Sequence, residues 1–116
     1  MKEGDVILVP LPQADGQRKP RPAILLKIIP PFGDFLVCGV SSQLRQQVRG
    51  LDELILRTDM DFLGSGLKMD SLIRAGFLAV YTEQQIIGSI GEISLERHRR
   101  LLKQLSEFLV STKRFS

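Results

Sequence analysis

Three sets of residues in this 116-residue chain could do chemistry. The first is cationic. Arg18, Lys19 and Arg21 sit in a polar stretch from Gln13 to Ala23, and Arg45, Arg49 and Arg74 fall in expected loops or at strand ends. Arg21 stands between Pro20 and Pro22. Both prolines fix their own φ, and Pro22 also pushes Arg21 towards extended geometry. A guanidinium held stiffly where a loop meets a sheet loses little entropy on gripping a ligand; the alternative is a solvated arginine in a linker. The second set is acidic: Asp52, Glu53, Asp59 and Asp61. Asp59-Met60-Asp61 could hold a hard cation, but such sites need more oxygens and the spacing matches no calcium loop, so these read as loop charges. The third set is the one cysteine and the one histidine. Cys38, between Val37 and Gly39, reads as a small buried hydrophobe rather than a reactive thiol. His98 falls on the packing stripe of a helix, and one Cys with one His makes no standard zinc site. No metal or cofactor is expected. No glycine-rich phosphate cradle precedes a helix, which argues against a nucleotide-binding fold.

The elements that must position these residues follow from pattern. Asp5 to Leu11, rich in β-branched residues, reads as a first strand, with Pro10 and Pro12 marking an edge or an exit. Asp15-Gly16 signals a tight turn in the loop that follows. A second strand runs from about Ala23 to Ile29, with Lys27 facing water, and Phe35 to Val40 forms a third; the proline-rich turn between them makes a hairpin. Leu51 to Leu56 reads as a short edge strand, and Thr58 to Lys68 as a functional loop or one helical turn. Ser71 to Tyr81 is a strand with a bulge at Gly76, and Ile86 to Gly91 is another. Ser94 caps a last helix whose stripe is Leu95, His98, Leu102, Leu105 and Leu109, widened by Leu101 and Phe108. The basic run Arg97 to Arg100 reads as a solvated helix face. Short strands and tight turns closed by one amphipathic helix give a small curled sheet, mainly β, over a single domain from 1 to 116.

Composition narrows the function classes. The hydrophobic share is 43% and the charged share 25%, ordinary for a globular chain with one modest core. Net charge is +3, a lean towards polyanionic partners in which a patch matters more than the total. One cysteine fits a reducing compartment; with no signal peptide and no apolar run of membrane length, the expected place is the cytoplasm, with no membrane partner.

In order and spacing, the chain resembles the MazF/PemK family of toxins from toxin–antitoxin pairs. The likeness runs through Gly4-Asp5-Val6, Asp15-Gly16 and Arg21-Pro22-Ala23 to Val40-Ser41-Ser42-Gln43. It continues through Gly66-Leu67, Ser71-Leu72-Ile73-Arg74 and Ile90-Gly91-Glu92-Ile93-Ser94. The resemblance implies a small SH3-like β-barrel, a homodimer, and metal-independent cleavage of single-stranded RNA to a cyclic phosphate and a 5′-hydroxyl. It implies Arg21 and Ser41 as catalytic residues. Arg18, Lys19, Ser42, Gln43, Arg45 and Arg74 would contact the RNA, and a cognate antitoxin would fill the RNA groove. Where the family often carries an acidic residue two places after Arg74, this chain has Gly76. The gyrase-poisoning toxin CcdB shares the barrel, so a non-catalytic inhibitor of a partner enzyme, or a barrel that holds RNA without cutting it, stands as the alternative. Ser41 could also simply satisfy strand-end backbone, and Arg74 could pair with Asp70.

Overall fold

Val6 and Ile7 are neighbours in sequence yet bury into different cores, because successive side chains of a strand leave on opposite faces. The same alternation organises the computed structural model, which describes residues 1–12 and 15–114. Its elements are β1 (Asp5–Pro12), β2 (Arg18–Ile29), β3 (Asp34–Ser41), β4 (Glu53–Ile55), α1 (Phe62–Ser65), β5 (Ser71–Tyr81), β6 (Gly88–Glu92) and α2 (Leu95–Val110). The six strands form one antiparallel sheet in the order β4-β5-β3-β2-β1-β6. It curls into a half-barrel with α2 on one side, the mainly β architecture expected and compatible with a small barrel of the MazF type. One core joins Val6, Ile24, Leu26, Cys38, Ile55, Ile73 and Ala75 to Leu101 and Leu105 of α2. The other lies on the opposite face of β1, β2 and β3, around Ile7, Val9, Leu25, Phe35 and Val37.

Several boundaries differ from expectation, each for a physical reason. The stretch from Arg18 to Pro22 is strand, not loop: β1 and β2 pair as far as Pro12 opposite Arg18. β6 stops opposite Leu8, so the outer half of β1 has a partner on one side only, where prolines are tolerated. Pro10 faces Pro20, and Leu8 faces Pro22. Of the expected loop, Gln13 and Ala14 lie outside the described residues, and the turn beyond them is as read: Gly16 has φ +83, and Asp15 accepts from the Gln17 N–H. The stripe of α2 is also shifted. Arg97, His98, Leu101 and Leu105 are buried, whereas Leu95, Phe108 and Leu109 are exposed. The β5 bulge is present, since Arg74 pairs with Gly39 and Leu78 with Cys38, leaving three residues between them unpaired on β3.

Candidate functional site

A groove of about 860 Å³ opens between the outer ends of the strands and the segment that follows α1. Its floor is apolar: Leu8, Pro22, Val40, Leu67 and Ile90. Arg21, Ser41, Ser42, Lys68 and Ser71 supply polar groups, and among the described residues the lining contains no carboxylate or imidazole. Arg21 and Ser41 both line this groove, just past the end of the β2–β3 ladder. Ala23 pairs with Gly39 as the last rung of that ladder, and Arg21 and Ser41 each lie two residues beyond that rung, on the same face as it. Arg21 is exposed, while Ser41 is half-buried. The Ser41 hydroxyl accepts the Gln43 N–H at 3.0 Å, so it does serve the strand end, and its own proton remains to donate.

The other residues named from sequence do not all share this lining. Arg18, Lys19, Gln43 and Arg45 are exposed outside it. Arg74 stands on β5 and does not pair with Asp70; its Nη1 donates to Gln46 at 3.2 Å. Asp70 instead accepts the Arg57 N–H at 2.7 Å. A Cβ at Gly76, where the family often carries an acidic residue, would stand 3.2 Å from Leu51 Cδ2, so a larger side chain there would press on the core. Lys68 was not singled out from sequence; the only signal for it was its place just after the Gly66-Leu67 step.

One wall of the groove, Gly66 to Met69, is held by contacts on both sides. Gly66 ends α1 with φ +75, and a Cβ there would meet the Ile90 carbonyl of β6; a Cβ on Gly91 would meet the Gly64 carbonyl. Only glycines allow α1 and β6 to lie this close. Before α1, Arg97 corrects the reading of its run as solvated, since the side chain is buried. Nε and Nη2 donate to Asp61 at 2.8 and 3.0 Å, and Nη2 also donates to Asp59 at 3.0 Å. Nη1 donates to Glu53 at 3.0 Å and to the Leu54 carbonyl at 2.7 Å. All five N–H groups are thereby used. Asp61 further accepts the Ser94 N–H at 3.0 Å. Burial alone would raise the Asp61 carboxyl, but the hydrogen bonds from Arg97 and Ser94 and the guanidinium charge outweigh it and bring its pKa to about 2. Asp59 and Asp61 are thus loop charges with a partner inside the protein.

The remaining chemistry-bearing side chains are structural. Cys38 is fully buried, and burial pushes its thiol up to about 12. His98 is buried with Nε2 2.9 Å from the Leu26 carbonyl, which assigns the ring proton to that nitrogen.

Two comparisons bear on this geometry. Residues 2–109 match the family model described as PemK-like, MazF-like toxin of type II toxin-antitoxin system. Among curated proteins, no sequence matches the chain.

Proposed function

The chain belongs to the PemK-like, MazF-like toxins of type II toxin–antitoxin systems, and we propose on that premise that it is a metal-independent endoribonuclease acting on single-stranded RNA. The family implies an antitoxin partner, and we place its binding over the same groove. The observation that carries the reading is that Arg21 and Ser41 line one groove together with Lys68.

In the proposed reaction a ribose 2′-oxygen attacks the adjacent phosphorus as the bond from phosphorus to the 5′-oxygen breaks. The 2′-hydroxyl loses its proton, the leaving oxygen gains one, and the products are a 2′,3′-cyclic phosphate and a 5′-hydroxyl; no water is consumed. Charge gathers on the phosphoryl oxygens in the transition state. The planar fork of Arg21 and the hydroxyl of Ser41 donate to those oxygens and bind more strongly as charge builds. Arginine scarcely deprotonates, and among the described residues the lining holds no carboxylate or imidazole, so we assign proton transfer to solvent. In-line positioning then supplies much of the rate. We assign Arg18, Lys19, Ser42, Gln43, Arg45 and Arg74 to contacts with the flanking RNA. The working unit is a homodimer, a reading supported by the exposed apolar residues Leu78, Val80, Phe108 and Leu109.

The test is incubation of the purified protein with mixed RNA in the presence of chelator, followed by mapping of the ends. Cyclic phosphates and 5′-hydroxyls at recurrent sites are expected. Intact RNA, or cleavage only after a divalent ion is restored, overturns the proposal.

A further inference from the structure

Arg74 and Phe77 on β5 form a pair outside the groove lining. The Arg74 guanidinium lies over the Phe77 ring, 3.4 Å from its centroid. Gln46 holds the guanidinium through Nη1, and Nε is buried without a partner. The ring itself is 57% exposed. Its place relative to Ser41 follows from the sheet. Gly39 pairs with Arg74, and a Cβ on Gly39 would stand 3.7 Å from that of Phe77. The ring therefore lies on the face that Gly39 shares with Ser41, two residues along β3. Ser41 pairs with Leu72, which makes Arg74 its diagonal neighbour, about 7–8 Å away.

We propose that Arg74 and Phe77 form a stacking platform for an unpaired nucleobase beside the phosphate held at Arg21 and Ser41; the proposal rests on the ribonuclease reading above. A guanidinium lying flat on a ring extends one π-surface with another, and both kinds of plane stack bases. The absence of a side chain at Gly39 leaves open the step between the phosphate position and the ring. Arg45 and Arg49, exposed on the segment after β3, place positive charge nearby for the flanking backbone. A single-stranded nucleic acid, with a phosphate and a planar base in alternation, matches this sequence of hydroxyl, gap, cation and ring.

The experiment uses the whole protein and a mixed-sequence RNA whose 2′-hydroxyls are replaced by fluorine, which removes the nucleophile and leaves the bases. Binding is read by fluorescence anisotropy for wild type, Phe77→Ala, Phe77→Leu and Phe77→Tyr. Phe77→Ala is expected to weaken binding about ten-fold, Phe77→Leu to do nearly the same, and Phe77→Tyr to retain affinity. An abasic site moved along the oligonucleotide should weaken wild-type binding at one position by a similar factor and cost Phe77→Ala nothing more there. Unchanged affinity in Phe77→Ala, or additive losses at every abasic position, overturns the proposal. So does a changed sedimenting mass, which would give the ring to a protein contact. Ring-dependent binding by a wild type that leaves natural RNA uncut would sink the ribonuclease reading and keep the platform. Cleavage with no dependence of binding on Phe77 would do the reverse.

Discussion

At the scale of single residues, two guanidinium groups stand in contrast, one exposed and one buried. Arg21 is exposed at the groove, held by a strand that begins earlier than its prolines suggested. Removing a donor aimed at developing charge costs roughly 2–4 kcal/mol of barrier. Arg21→Ala should therefore lower kcat about 100-fold or more while leaving the fold intact by circular dichroism; equal cleavage by the two proteins would remove Arg21 from the site. Arg97 is the inward counterpart. Replacing it with Met strands the carboxylates of Asp59 and Asp61 without their cation and should destabilise the fold by roughly 3–5 kcal/mol, measured by urea unfolding at neutral pH. Acid then gives a signed check. Asp61 has a folded pKa of about 2 against an ordinary 3.8, so its stabilising share is present above 3.8 and is lost as pH falls towards 2. The stability gap between wild type and Arg97→Met should narrow across that window. A gap independent of pH would separate Asp61 from the effect. None of this pairing was legible in sequence. A basic run on an amphipathic helix looks solvated, and the carboxylates it meets lie 36 to 44 residues away.

At the scale of elements, the strands were legible where alternation and turn chemistry agreed, as in the β2–β3 hairpin and the bulge of β5. The hairpin arm was not, because Pro10, Pro12, Pro20 and Pro22 read as breakers, and only the pairing of β1 with β2 shows that Pro10 and Pro12 lie on the part of β1 beyond β6 and that Pro20 and Pro22 lie on the facing stretch of β2. The α2 stripe was read by hydrophobicity alone, which favoured Leu95 and Leu109 over the buried Arg97. The contact between α1 and β6 gives the prediction at this scale. Gly91→Ala would set a methyl group against the Gly64 carbonyl, forcing α1 and the groove wall away from β6. RNA affinity and melting temperature should both fall, more than in Gly88→Ala, where a Cβ meets nothing within 4 Å. Identical behaviour of the two variants would show that the close approach does not set the wall.

At the scale of the whole molecule, the barrel leaves apolar surface that neither core absorbs. Leu78 and Val80 lie opposite Cys38 and Leu36, on the side where α2 packs, and the last turn of that helix carries Phe108, Leu109 and Val110 into solvent. A second copy would cover them. Sedimentation equilibrium should accordingly return twice the 13.0 kDa of the chain, and Val80→Lys should shift the mass towards one copy. A single species at 13.0 kDa for the wild type would leave each groove complete in one chain. The likeness along the chain anticipated the architecture, but composition could not anticipate this surface, since exposed and buried leucines look alike in a sequence.

The facing prolines of the β1–β2 arm carry one more consequence. Neither Pro10 nor Pro20 has an amide hydrogen, so the outer ladder lacks rungs that a stray chain would need in order to zip onto it. A protein that must project a hairpin beyond its barrel has thereby made that projection a poor seed for fibrils.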